Sequence, residues 1–138
     1  MKPLKTKVGI IGAAGYTGGE LIRLLINHPN IEIAFAQSNS CAGRKVVDVH
    51  TDLFGETELI FSFSKLMEIE ILFLCSSHGE AKEFLTTNKI SAHTKIIDLS
   101  QDFRLNENHT INNYEFVYGL PELNKIKIMQ TNAVANPG

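Results

Sequence analysis

Glycine recurs at every third position in the stretch Gly12-Ala13-Ala14-Gly15-Tyr16-Thr17-Gly18. The stretch directly follows the apolar run at 8–11, which predicts a buried strand, and it opens a segment with helical periodicity at 17–27. A strand, a glycine-rich turn and a helix in this order are what a dinucleotide site requires. The first glycine permits the tight turn, the second lets the backbone approach a pyrophosphate, and the third allows close helix packing.

The positive end of such a helix, with its unpaired amides, attracts phosphates. The spacing differs by one residue from the common G-x-G-x-x-G pattern, and no Gly-Lys-Ser/Thr follows, so the loop is not of the Walker type. The alternative is a glycine-rich turn that binds nothing. We expect a dinucleotide site built from Gly12, Ala14, Gly15, Tyr16, Thr17 and Gly18.

The rest of the chain alternates apolar strand patterns with helical ones. Further strands are predicted at 31–37, 59–63, 69–75, 95–99 and 129–135, and helices at 80–85 and after the turn at 118–122. Residues 41–58 lack periodicity, and 100–113 read as polar loops. This alternation predicts an α/β fold with a mostly parallel sheet, helices on both faces and right-handed crossovers. The plan is that of nucleotide-binding domains.

The composition excludes several classes of protein. The chain has 138 residues, is 43% hydrophobic and 20% charged, and carries a formal net charge of −2, so it predicts one globular domain over 1–138. It shows no basic excess, which argues against nucleic acid and anionic membranes as partners. Two cysteines are too few for a small secreted scaffold and favour the cytoplasm. A signal peptide at the N-terminus is the minor alternative, and no apolar stretch is long enough for a membrane helix.

The end of the second predicted strand indicates which dinucleotide binds. NAD sites place an acid there, roughly 20 residues past the glycines, but this chain reads Ala36-Gln37-Ser38-Asn39-Ser40. Glu32 lies too early in the strand. Arg44 and Lys45 follow, and a cation at this place favours a 2′-phosphate, so NADP(H) is expected. Two solvated loop cations are the alternative.

A second polar turn, Ser76-Ser77-His78-Gly79, follows an apolar strand at the sheet edge where α/β proteins bind ligands. His78 is expected to contact a cofactor phosphate or to shape the nicotinamide pocket, with a helix-capping turn as the alternative. Cys75 is predicted to be buried and inert, and Cys41 to be an ordinary loop residue.

The run from Asp98 to Arg104 reaches the same edge. Arg104 is suited to bind a phosphate through two hydrogen bonds, or to form a surface ion pair with Asp98 or Asp102. The remaining histidines lack metal-ligand spacing, so no metal site is expected and they are interpreted as surface groups: His28, His50, His93 and His109.

Four segments in this order resemble N-acetyl-γ-glutamyl-phosphate reductase, of the semialdehyde dehydrogenase superfamily. They are residues 12–21, 98–105, 118–123 and the closing Val134-Ala135-Asn136-Pro137-Gly138. Aspartate-semialdehyde dehydrogenases share the general plan but fit less well at 98–105 and 118–123.

The resemblance implies an NADPH-dependent enzyme of arginine biosynthesis that converts N-acetyl-γ-glutamyl phosphate into the semialdehyde. In the family a cysteine thiolate displaces phosphate from the acyl phosphate, and hydride from NADPH then releases the aldehyde from the thioester. That cysteine follows Asn-Pro-Gly, so the resemblance places it just beyond Gly138, and a second domain holds the histidine acid/base. The 138 residues alone are therefore expected to be inactive, with no catalytic residue in the chain.

The resemblance also assigns the site residues. The glycine loop would hold the pyrophosphate, Ser38 and Arg44 the 2′-phosphate, and Ser76, Ser77 and His78 would flank the nicotinamide. Arg104 matches an arginine that contacts substrate phosphate in the wider group. The full-length enzyme is expected to be a homo-oligomer. The alternatives are an aspartate-semialdehyde dehydrogenase-like enzyme, a carrier-linked amino-adipyl-phosphate reductase and a free-standing NADP-sensing module.

Overall fold

A parallel sheet forms the centre of the molecule. The structure, a computed structural model, describes residues 3–63 and 68–138. Its main strands are β1 (Thr6–Ile11), β2 (Ile31–Gln37), β3 (Phe61–Ser62), β4 (Ile71–Leu74), β5 (Lys95–Asp98), β6 (Thr110–Ile111), β7 (Tyr114–Glu115), β8 (Val117–Tyr118) and β9 (Ala133–Ala135). The helices are α1 (Tyr16–Leu25), α2 (Glu80–Thr87) and α3 (Pro121–Gln130).

The strand order is β3-β2-β1-β4-β5-β9-β8, with parallel pairing throughout, while β6 and β7 form a separate antiparallel pair. At the centre, Ile11 is in register with Gln37 on one side and with Leu74 on the other. The loops that follow β1, β2 and β4 therefore leave the sheet side by side. Because the chain runs from β1 towards β2 and from β4 towards β5, the order reverses between β1 and β4, where ligands of such sheets bind.

Successive residues of the central strands enter opposite apolar clusters. Ile10 packs in the cluster that contains Ile22 of α1, and Ile11 packs in the cluster that contains Leu85 of α2. This alternation follows from the two-residue period of a strand. Helices therefore cover both faces, and the predicted mostly parallel α/β fold of Rossmann type is confirmed.

Most predicted helices and strands begin and end within about two residues of the observed ones, and β2 matches the prediction at both ends. The strand predicted at 129–135 is wrong in its first half, because residues 129 and 130 complete α3. Pro121 at the start of α3 fixes a helical φ, and the helix, kinked at Asn124, ends at Gln130. The predicted polar loops at 100–113 include β6, and β8 occupies the predicted turn at 118.

Helix α3 buries none of its side chains. Leu123, Ile126 and Met129 are exposed although they are apolar. Within the described residues, no helix is both long and apolar enough to cross a membrane.

Candidate dinucleotide site

A cleft of about 620 Å³ opens at the carboxyl ends of β1, β2 and β4. This volume lies within the usual range of small-molecule sites. Its walls come from four segments: Ile11, Gly12, Ala14 and Gly15; Gln37 to Ser40; Cys75 to Ser77; and Glu80, Glu83, Phe84 and Thr87 on α2 with Asn88 directly after it. Of the predicted site residues, Gly12, Ala14, Gly15, Ser38, Ser76 and Ser77 line it, whereas Tyr16, Thr17, Gly18, Arg44, His78 and Arg104 lie outside its lining.

The three glycines of the motif differ in whether the fold requires glycine at their positions. Gly12 has a φ of +75°, and a Cβ there would lie 2.8 Å from the Ser76 amide nitrogen. At Gly18 a Cβ would lie 2.6 Å from the Cα and carbonyl oxygen of Ala13. At Gly15, by contrast, φ is −76°, and the nearest atom to a Cβ is 3.7 Å away. The protein itself therefore requires glycine at Gly12 and Gly18, but not at Gly15, where the open space faces the cleft.

The two helices that begin beside the cleft, α1 and α2, differ at their N-termini. Gly15 precedes α1 with no side-chain cap among the described residues, and the first turn carries no acid. The carboxylate of Asp102 accepts hydrogen bonds from the amides of Gly79 (2.7 Å) and Lys82 (3.1 Å) at the start of α2. Because a carboxylate already caps α2, α1 is the one of these two helices that offers an open positive end to a phosphate, among the residues that the structure describes.

Gln37 performs a task that the sequence did not reveal. It is 6% exposed, its Oε1 accepts from the Gly12 amide at 3.2 Å, and its backbone oxygen accepts from the Ala13 amide at 2.8 Å. The residue where NAD sites carry an acid thus holds the glycine loop. Its neighbour Ser38 is also buried, and its hydroxyl accepts from the Cys41 amide at 3.2 Å, closing a turn beside the cleft.

The two predicted cations differ in availability. Lys45 Nζ lies 3.1 Å from Glu58 Oε2. Arg44 is exposed, and within residues 3–63 and 68–138 it has no ion-pair partner. Its amide donates to the Cys41 oxygen, which joins it to the turn at Ser38. Of the two cations, Arg44 is therefore the one without an ion-pair partner among the described residues.

The turn at Ser76 contributes a buried hydroxyl group to the cleft. Ser76 Oγ is buried and has no hydrogen-bond partner among the described residues. A ligand in the cleft would satisfy it, because buried hydroxyls are normally paired. His78 is exposed, and its Nδ1 accepts from the Gln101 amide at 3.4 Å, so it braces the loop at 98–104.

The guanidinium of Arg104 binds backbone carbonyl oxygens rather than a carboxylate. It donates to the carbonyls of Asn136 (2.9 Å) and Leu99 (3.1 Å), and it forms no ion pair with Asp98 or Asp102. The ion-pair alternative is therefore wrong, because the carboxylate of Asp102 is occupied at α2 and Asp98 bonds to Ser100. Arg104 Nη1 would lie 2.7 Å from a Cβ at Gly138, so the guanidinium borders that turn.

The thiol that lines the cleft, Cys75, is not suited to act as a nucleophile. It is half-buried, and both it and Cys41 are free. Burial, aided by the carboxylate of Asp98, raises the pKa of Cys75 to about 12. The prediction that Cys75 is inert agrees with this, since thiolates are the reactive form.

His50 does not fit the prediction for the histidines. It is half-buried, and its Nε2 lies 2.8 Å from the carbonyl oxygen of Ala13 in the glycine loop. The surface interpretation is wrong here because the aperiodic segment that carries His50 folds back under α1. His28 and His93 are exposed, and His109 lies 3.5 Å from Glu115.

Comparisons with known proteins agree with this geometry. Residues 7–131 match the model of the family described as semialdehyde dehydrogenase, NAD binding domain. The chain is 59% identical to N-acetyl-gamma-glutamyl-phosphate reductase of Azobacteroides pseudotrichonymphae, covering 96% of this chain and 41% of that protein. It is 51% identical to the reductase of the same name from Phocaeicola vulgatus, covering 96% and 40%.

Among solved structures, aspartate semialdehyde dehydrogenase with NADP from Candida albicans is similar, with a TM-score of 0.64 and 16% identity. The match covers 96% of this chain and 42% of that one. At that identity the likeness shows the fold alone.

The strand order, the glycine loop and the cleft at the switch point define a nucleotide-binding α/β domain of Rossmann type. More particularly, the chain belongs to the family of NAD-binding domains of semialdehyde dehydrogenases. It spans about two fifths of the length of the curated relatives that it matches.

Proposed function

We propose that residues 1–138 form the NADP(H)-binding domain of a reductase that converts N-acetyl-γ-glutamyl phosphate into N-acetylglutamate semialdehyde. The observation that carries the proposal is the open N-terminus of α1 beside Gly15, at the mouth of a 620 Å³ cleft. The names of the relatives at 51–59% identity support the substrate.

The cleft and residues beside it are proposed to hold the parts of the dinucleotide. The amides from Gly15 into α1 would hold the pyrophosphate, and Arg44, with the turn at Ser38, the 2′-phosphate. Ser76 Oγ would gain the partner that it lacks, with Ser77 and His78 on the nicotinamide side. When bound, NADPH supplies the hydride of the reduction.

The thiol that forms the thioester is proposed to lie outside this chain, directly after Gly138. The raised pKa of Cys75 supports this, because that thiol stays protonated at neutral pH. Arg104, which borders Gly138, is proposed to keep the turn in place and to meet the phosphate of the substrate.

The proposed setting is the cytoplasm, supported by two unpaired thiols. A net charge of −2 supports a small-molecule rather than a nucleic-acid partner. The full-length enzyme is proposed to be a homo-oligomer, for which the exposed apolar side chains of α3 offer a surface.

Calorimetric titration of the chain with NADPH and NADH tests the cofactor half of the proposal. We expect NADPH to bind more tightly than NADH, because only NADPH carries the 2′-phosphate that Arg44 is proposed to bind. Failure to bind either dinucleotide, or a clear preference for NADH, would contradict the proposal.

A further inference from the structure

We infer that His50 is a positioning residue for the dinucleotide site, acting through the peptide bond between Ala13 and Ala14. The inference rests on the proposed nucleotide site and concerns how the protein keeps that site in its binding conformation.

The contact joins residues that are 37 positions apart. His50 Nε2 lies 2.8 Å from the carbonyl oxygen of Ala13. Because a carbonyl only accepts, Nε2 carries the proton and donates it. The amide of Ala13 already donates to the oxygen of Gln37 at 2.8 Å. Both backbone groups of Ala13 are therefore fixed by segments from outside the loop.

This bond sets the direction of a neighbouring amide. The carbonyl of Ala13 and the N–H of Ala14 belong to one planar peptide unit and point in opposite directions. Ala14 lines the cleft, whereas Ala13 is fully buried. Holding the oxygen of Ala13 on the buried side therefore orients the N–H of Ala14 relative to the cleft.

The imidazole is also held in place. A Cβ at Gly19 would lie 2.6 Å from both Cε1 and Nδ1 of His50, so the ring occupies the space that a side chain would fill. On another side the ring meets Phe61 edge-on, with centroids 6.1 Å apart. This packing explains a fourth glycine that the dinucleotide motif does not require.

The test compares four chains by calorimetry with NADPH and NADH, at a temperature where circular dichroism shows each to be folded. His50→Ala and His50→Phe remove the donor, and the latter keeps an aromatic ring. His50→Gln restores an N–H donor of similar reach. Arg44→Ala is the matched control, because it should weaken NADPH alone.

We expect the alanine and phenylalanine variants to lose about tenfold in affinity for both dinucleotides, with an unchanged ratio between them, and glutamine to recover most of the loss. A tenfold loss corresponds to about 1.4 kcal/mol, the size of one hydrogen bond. If the alanine variant does not fold, the comparison of glutamine with phenylalanine decides. Wild-type affinity in the variants, rescue by phenylalanine but not glutamine, or loss of NADPH binding alone would overturn the inference.

A second measurement uses Gly19→Ala. Its methyl group should displace the ring and weaken NADPH in the wild-type background, but add little in the His50→Ala background. Additive losses would contradict the inference. A wild-type chain that binds neither dinucleotide would overturn the proposed function as well, whereas equal binding by wild type and variants overturns only the role of His50.

Discussion

Substitutions at Gly15 and Gly18 should distinguish an effect on nucleotide binding from an effect on folding. A methyl group at Gly18 would lie 2.6 Å from the backbone of Ala13, whereas at Gly15 it would meet nothing closer than 3.7 Å. Gly18→Ala should lower the free energy of unfolding by about 1–3 kcal/mol through overpacking. Gly15→Ala should cost about 1 kcal/mol or less as a change of helix cap, yet lower NADPH affinity at least tenfold.

Urea unfolding and calorimetry on the same two variants check this prediction. Unchanged NADPH affinity in Gly15→Ala would mean that the pyrophosphate does not lie against this residue.

The two neighbouring cations provide a matched pair. Arg44 has no ion-pair partner among the described residues, while Lys45 pairs with Glu58. Arg44→Ala should weaken NADPH about tenfold and leave NADH unchanged, because only NADPH carries the 2′-phosphate. Lys45→Ala should change neither. Equal effects of the two substitutions on NADPH would refute the assignment of Arg44.

Asp98 predicts a dependence of stability on pH. It is fully buried at the end of β5, and burial raises its pKa, opposed by hydrogen bonds from Ser100. The folded protein thus holds this proton more tightly than the unfolded chain, so the contribution is present at acid pH and is lost as pH rises through the folded-state pKa.

Asp98→Asn keeps an oxygen for the Ser100 amide and has no proton to lose. Its gain in unfolding free energy over wild type should therefore be larger at pH 7 than at pH 4, as measured by urea unfolding. Asp48→Asn, at an exposed position, is the control for replacing a carboxylate by an amide. A gain that shrinks with rising pH would contradict this account.

Sequence reasoning found the residues whose signal is local and missed those that act across the chain. The glycine loop is visible as a spacing. Gln37 lies 25 positions from its partner Gly12, and His50 lies 37 positions from its partner Ala13. Asp102 lies 23 and 20 positions from the two amides that it binds. No pattern in one sequence connects residues so far apart. Gln37 had a signal of another kind, since it stands where an acid was expected.

At the scale of elements, α2 begins with a cap supplied by a distant loop. Gly79 precedes the helix with a φ of +85°. The carboxylate of Asp102 accepts hydrogen bonds from the amide of Gly79 and from the amide of Lys82 in the first turn. Asp102→Ala should lower the free energy of unfolding by about 1–2 kcal/mol, because two amides lose a charged acceptor. Asp102→Asn, which keeps one carbonyl oxygen, should lose less.

Chemical denaturation of these variants, with exposed Glu56→Ala as control, provides the measurement. If Asp102→Ala is as stable as the control, the carboxylate does not support α2.

Helices and strands were predicted most accurately where the sequence marks both of their ends. Strand β2 was predicted at both ends because its apolar run lies between His28-Pro29-Asn30 and the polar turn after Gln37. At 129–135 the helix and the strand are separated only by Thr131 and Asn132. The apolar residues of α3 and β9 therefore merged into one predicted strand.

For the whole molecule, alternation of strands and helices was enough to predict the mostly parallel sheet. Parallel pairing in the order β2-β1-β4 places the carboxyl ends of β1, β2 and β4 side by side, where the glycine loop also lies. The β6–β7 pair and the position of β8 at the edge were not predictable, because two-residue strands leave no periodic signal.

The open N-terminus of α1 is proposed to bind the pyrophosphate of NADPH. A crystal structure of the chain at saturating NADPH tests this proposal. We expect pyrophosphate oxygens about 2.7–3.2 Å from backbone amides between Gly15 and Gly18, with the 2′-phosphate beside Arg44. A nucleotide bound at α2 or elsewhere, or a cleft left empty under those conditions, would contradict it.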